Sequence, residues 1–226
     1  MRIAPLLLPD IRELLQANPE EIREALAEIH PADLAELFRR FSDEERVQFY
    51  EILPPDLQVE VFEHLDHEMQ TRLLTLLSNQ SASHIVNEMA SDDRADFIGS
   101  LSPEEQRPVF DLLSEEEKED VDLLLRYPES TAGGLMTTTF VALPEGMTVA
   151  EAIAHIRKVA EASETIYYVY VVDADGRLEG VLSLKDLVLS PDDRPIREVM
   201  NREVISAHVL DDQEAVSQTM ARYDFL

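Results

Sequence analysis

The sequence predicts an α+β protein of two domains, an all-α solenoid of short helices followed by a small α/β module. Three observations predict it. Apolar residues recur every 12 positions from His30 to Leu125. Five glycines, Gly133, Gly134, Gly146, Gly176 and Gly180, fall after that stretch, and only Gly99 falls within it. β-Branched and aromatic residues crowd Thr165 to Val172, just before the turn residues Asp173-Ala-Asp-Gly176.

The repeat defines the first domain, residues 1–130. The last position of each unit is Phe41, Leu53, Leu65, Leu77, Met89, Leu101, Leu113 and Leu125. The eighth is Leu37, Phe49, Val61, Leu73, Ile85, Phe97, Val109 and Val121, and the ninth is often apolar too. Apolar positions spaced by one and four form one face of a short helix. Units open with capping or breaking residues: Ser42-Asp43, Pro54-Pro55-Asp56, Asp66, Ser78-Asn79, Ser91-Asp92, Ser102-Pro103 and Ser114. Each unit is therefore a helix of about two turns and a tight corner. Such helices bury their apolar faces only by stacking on one another, as in a solenoid.

The second region, from residue 131, changes period. Thr148-Val-Ala-Glu151 is a capping box that opens a helix to about Ala160. Thr165 to Val172 reads as a buried strand, Asp173 to Gly176 as a hairpin turn, and Leu178 to Leu184 as the partner strand. Ser183-Leu-Lys-Asp186 starts a helix, and Ile196 to Met200 reads as a short one. Val204 onward is expected to repeat the order, with a strand, a turn at Asp211-Asp212 and a helix. The pattern of Gln213 to Arg222 runs into Tyr-Asp-Phe-Leu with no C-cap, so a truncated end is expected.

Composition narrows the function. The net charge is −28, with 31 acidic against 11 basic residues in 1–130 and 16 against 8 in 131–226. Such a field repels nucleic acid and anionic lipid and concentrates cations. From charge alone the simpler reading is a solubility or halophilic surface. There is no cysteine, hence no disulfide, thiolate metal site or thiol nucleophile. The longest apolar runs are far too short to span a bilayer, and Met1 to Leu8 is not a signal peptide.

No nucleophile elbow, P-loop, dinucleotide fingerprint or metalloprotease helix is present, so an enzyme is not expected. Asp173-Ala-Asp-Gly has its glycine fourth, and the twelfth position is Leu184, so it is a turn and not an EF-hand loop. His64 and His67 are spaced like zinc ligands, but a helix boundary at Asp66 falls between them. Glu104-Glu105 and Glu115-Glu116-Glu117 fall on first helical turns, where they complement the dipole. Asp92-Asp93 and Asp96 also begin a helix; Asp92 and Asp96 lie four apart on one face, where hard oxygen ligands suit a hydrated Mg2+, although spacing alone reads more simply as solvated acids.

Several stretches together resemble one family, the cytosolic part of the MgtE magnesium channels and transporters. They are Ile-His-Pro-Ala-Asp-Leu at 29–34, Thr-Ala-Gly-Gly-Leu-Met-Thr at 131–137, Glu-Thr-Ile-Tyr-Tyr-Val-Tyr-Val-Val-Asp at 164–173 and Gly-Val-Leu-Ser-Leu-Lys-Asp-Leu at 180–187. Asp-Gln-Glu at 212–214 and Tyr-Asp-Phe at 223–225 follow in order. The resemblance implies a right-handed superhelical N domain over 1–130, a first cystathionine-β-synthase (CBS) motif over 131–203, and the start of a second, truncated one over 204–226. It also implies a homodimer joined through its CBS modules, at the cytoplasmic face of the cell membrane, ahead of a pore domain absent here.

By the same resemblance, Mg2+ bridges the N domain, the CBS module and the partner subunit and closes the pore. Carboxylate repulsion at low Mg2+ opens it. The ligands implied are Glu60, Asp92, Asp96, the backbone of Gly134, Asp212, Glu214 and Asp224. Some members of the family bind ATP in the CBS cleft. Here Asp186 would hold the ribose hydroxyls, Tyr168 would stack on adenine and Phe225 would assist. Alternatively Asp186 only caps a helix and Tyr168 is core. Two other functions fit the residues: an adenine-nucleotide-sensing CBS protein with a helical interaction arm, not a transporter, or a purely structural acidic scaffold.

Overall fold

In the computed structural model, which describes residues 23, 26–159 and 166–225, helices begin where the sequence places its caps. The series is α1 (Pro31–Phe38), α2 (Asp43–Ile52), α3 (Pro55–Glu63), α4 (His67–Leu76), α5 (Asn79–Glu88), α6 (Ser91–Ser100), α7 (Pro103–Phe110) and α8 (Glu115–Leu124). Ser42 accepts from the Glu45 amide while the Glu45 carboxylate accepts from the Ser42 amide at 2.8 Å, a reciprocal cap. Asp66 and Ser78 cap α4 and α5 through the amides of Met69 and Ser81, at 3.0 and 3.1 Å.

The repeating apolar positions meet in one core. All eight residues at position eight are buried, and so are those at position twelve from Phe41 to Leu113. Leu125 departs from the expectation and is 45% exposed, because no further repeat follows to cover it. Packing is between alternate helices: α1 lies on α3, α2 on α4 and α3 on α5. Phe38 meets Phe41, Phe49 and Tyr50 edge to face at one end of this core, and Phe41 meets Phe49 at a tilt.

A second device was not anticipated from the sequence. A long polar side chain at position five reaches back eight residues to the last turn of the preceding helix. Arg46 Nε donates to Phe38 O, Gln58 Nε2 to Tyr50 O and Leu53 O, Gln70 Nε2 to Phe62 O, and Gln106 Nε2 to Ile98 O and Leu101 O. Arg94 makes three such bonds, to Val86 O, Asn87 O and Met89 O, at 2.7, 2.9 and 2.7 Å. Terminal carbonyls of a helix have no partner within it. These side chains supply one, and they fix each helix on the one before.

Two units emerge from the described residues. One runs up to Met89 and includes Asp93–Asp122, and the other comprises Ala90–Asp92 and residues from Leu123 onward. The second unit carries a three-stranded sheet in the order β1-β2-β3. β1 (Ala142–Pro144) is parallel to β2 (Tyr168–Val172), with α9 (Val149–Val159) as the crossover, and β2 is antiparallel to β3 (Leu178–Ser183). Val169, Val171 and Leu182 bury against Val149, Ala152 and Ile156. The hairpin turn forms as expected. Asp173 Oδ1 accepts from the amides of Asp175 and Arg177, and Gly176 takes φ 76°.

Some boundaries and one element differ from expectation. β2 begins at Tyr168, and Thr165 and Ala160 lie outside the described residues. β3 ends at Ser183 because that residue turns to cap α10 (Leu184–Leu189). Ile196–Glu198 is a single 3-10 turn. The strand expected from Val204 is not formed. Backbone becomes a strand only beside a hydrogen-bonding partner, and among the described residues none runs along 204–207. The helix after it does form, as α11 (Gln213–Tyr223).

Candidate functional site

The second unit holds a cavity of about 480 Å³ between the sheet and the end of α11. Its walls come from β2 through Tyr168 and Tyr170, from β3 through Val181 and Ser183, from α10 through Asp186, and from the chain end through Met220 and Phe225. Tyr168, Asp186 and Phe225, named from the sequence for one ligand, therefore line one space. Two features of their arrangement matter. Tyr168 meets Phe225 edge-on, with centroids 6.4 Å apart and planes at 76°. Asp186 completes a capping box: its Oδ2 accepts from Ser183 Oγ at 2.6 Å and from the Ser183 amide at 3.1 Å. Asp186 is thus a cap and a cavity carboxylate at once. The sequence did not single out Asn201, Glu203 and Ser206, which also line the cavity. They sit in irregular chain, where no periodicity marks a direction.

The residues named for Mg2+ are distributed. Asp92 lies in the first turn of α6, half-buried, and its Oδ1 is buried with no hydrogen-bond partner among the described residues. An unpaired buried carboxylate oxygen is costly, and a cation or water removes the cost. Asp96, one turn on, is exposed, as is Glu60 in α3. Asp212 caps α11 by accepting from the Glu214 amide at 2.9 Å, and Glu214 lies in that first turn. Asp224 ends α11 in the left-handed region, at φ 55°. Among the described residues, no three or more His, Cys, Asp or Glu side chains are grouped closely enough to hold a metal ion.

The Thr131-Ala-Gly-Gly-Leu-Met segment is a short 3-10 turn over Ala132–Gly134. It is tied to the start of α11: Ala132 N donates to Asp211 O, Gly133 N to Val209 O, and Gln213 N to Ser130 O. Thr131 and Asp212 pair as a bridge, so two of the residues proposed as ligands, Gly134 and Asp212, border one backbone junction. Both central glycines are required by close approach. A Cβ on Gly134 would stand 2.5 Å from Pro128 O, and one on Gly133 2.6 Å from the Tyr127 ring. Ser91, also in this unit, is buried and accepts from the Thr138 amide at 2.8 Å, with its hydroxyl 3.1 Å from that of Thr137.

His64 and His67 do not converge. α3 ends at Glu63 with His64 as its C-cap and α4 opens on Asp66, the His64 ring stacks on His30, and the His67 ring stacks on Phe97. No helix among the described residues is long and apolar enough to cross a membrane.

A family model described as the MgtE intracellular N domain matches residues 29–130, and a CBS domain model matches residues 132–191. The chain is 50% identical over 106 residues to the magnesium transporter MgtE of Thermus thermophilus, a stretch that is 47% of this chain and 24% of that protein. It is 49% identical over 107 residues to MgtE of Enterococcus faecalis, with the same shares. The matched stretch is a minor part of these relatives' length. Two solved structures cover far more. The cytosolic domain of the Mg2+ channel MgtE in complex with ATP is 38% identical with a TM-score of 0.86, over 100% of this chain and 90% of that one. The soluble part of a magnesium transporter is 34% identical with a TM-score of 0.91, over 99% and 88%.

Proposed function

The chain belongs to the MgtE family, matching its cytosolic region, and on that premise we propose that it senses Mg2+ for a membrane magnesium channel or transporter. The observation that carries the proposal is Asp92: a carboxylate with a buried oxygen that has no partner among the described residues, one helical turn from Asp96, in a chain of net charge −28. A divalent cation that binds the closed arrangement better than the open one shifts the balance between them. In this reading Mg2+ is shared among carboxylates of the helical domain, the CBS module and the second subunit of a homodimer, and the pore closes. Glu60, Asp212, Glu214 and Asp224 supply further acids, and the Gly134 backbone a carbonyl. The site of action is the cytoplasmic face of the membrane.

The test is a thermal melt of the chain across Mg2+ concentrations. A ligand at ten times its Kd stabilises the form it binds by about 1.4 kcal/mol. Mg2+ in the millimolar range is expected to raise Tm well beyond the same ionic strength of NaCl, and Asp92→Ala with Asp96→Ala to remove most of that rise. An unchanged Mg2+ response in the double variant would sink the assignment.

A second reading has its own observation, the convergence of Tyr168, Asp186 and Phe225 on one cavity. It supports an adenine-nucleotide site that modulates the Mg2+ response. As the sole function, nucleotide sensing predicts a Tm rise with ATP or AMP and none with Mg2+.

A further inference from the structure

Ser91 differs from Ser42 and Ser78, whose hydroxyls turn back onto amides of their own helices. Ser91, the residue before Asp92, is 1% exposed, and its Oγ accepts from the Thr138 amide at 2.8 Å. The Thr137 hydroxyl lies 3.1 Å from the same oxygen and itself accepts from the Thr139 amide at 3.2 Å. Ala90–Asp92 and residues from Leu123 onward form one unit, so this knot lies within it. It ties two stretches of backbone. One is the first turn of α6, which carries Asp92, and the other is the segment from Thr131, which carries Gly134.

The hydrogen bonds leave hydroxyl donors in excess. Ser91 and Thr137 own one hydroxyl hydrogen each, and one of the two fills the bond between them, so the other stays available. Thr138 Oγ1 is buried with no hydrogen-bond partner among the described residues, and so is Asp92 Oδ1. A carboxylate oxygen short of donors thus follows in the chain directly on a hydroxyl knot short of acceptors. Mg2+ demands near-octahedral geometry at about 2.0–2.1 Å, so a carboxylate serves it best from a fixed place. We infer that Ser91 is a positioning residue: with Thr137 it locks the backbone of Asp92 to the segment of Gly134, and so sets the Mg2+ affinity without touching the ion. This rests on reading Asp92 as a Mg2+ ligand.

Calorimetric titration of the whole chain with MgCl2 at constant ionic strength tests it, alongside a melt in EDTA. Ser91→Ala is expected to weaken Mg2+ binding roughly tenfold, and so is Thr137→Val, which keeps the size of threonine but not its hydroxyl. Thr137→Ser keeps the hydroxyl and is expected to bind as the native chain does. Ser91→Ala also strands the Thr138 amide and lowers Tm in EDTA. The Thr137 pair, at a half-buried position, separates that loss of stability from the loss of affinity. Variants that melt lower in EDTA yet keep the native Mg2+ affinity, or a Thr137→Ser as weak as Thr137→Val, overturn the inference and leave Mg2+ sensing standing. A native chain that binds no Mg2+ at millimolar concentration sinks the reading of Asp92 itself, and the inference with it.

Discussion

Position five of the helical repeat carries more of the fold than its polarity suggests. Arg94 is 5% exposed, and two of its three bonds to carbonyls, those to Val86 O and Met89 O, are buried. Burial pulls its guanidinium below the ordinary value, while Glu117, Asp120, Glu88 and Glu63 oppose that pull. Arg94→Met should cost about 2–4 kcal/mol in urea denaturation, because removing one partner strands several buried acceptors. Gln106→Ala, at a half-buried position with two acceptors, should cost about 1 kcal/mol. Equal small losses would mean that water replaces these donors.

Asp43 makes a different residue-level statement. Its hydrogen bond from Arg72 holds its carboxyl below the ordinary 3.8, with burial opposing and Arg46 assisting. A carboxyl depressed by folding contributes stability above its unfolded pKa and loses it as pH falls through the folded one. Asp43→Asn should therefore flatten the stability profile from about pH 5 downward. A native acid limb of unchanged steepness in the variant would remove this pair from the account.

At the scale of elements, the caps and the periodicity were legible because both are local. Ser42, Asp66, Ser78 and Ser102 announce helices through bonds spanning three residues. β2 and β3 were legible because the Asp173–Gly176 turn fixes their register. The segment from Val204 was not, since composition marks a strand and only a partner makes one. Amide exchange should separate these cases, with strong protection in Tyr168–Val172 and Leu178–Ser183 and rapid exchange at 204–207. Slow exchange there would show a pairing that the monomer lacks. Ser91 was expected to be a cap. Its hydroxyl instead serves Thr137 and Thr138, 46 and 47 residues away.

For the whole molecule the charge of −28 is the dominant long-range term. Self-repulsion of this size opposes the compact state and is screened over about 8 Å at physiological ionic strength. Raising NaCl from low levels to 0.15 M should raise Tm, and Mg2+ should add a saturable rise on top. A Mg2+ effect that merely tracks ionic strength would reduce the acids to a solubility device.

The sequence by itself determined the helical repeat, the hairpin, the α+β class and the cation-seeking charge, because each is written in spacing or in a sum over residues. Tertiary structure alone decided which residues share a space. It brought Glu203 into the cavity with Asp186, left Asp92 Oδ1 without a partner among the described residues, and made Gly133 and Gly134 indispensable through the approach of Tyr127 and Pro128. These depend on contacts between distant parts of the chain, and no local pattern encodes the path that brings them together.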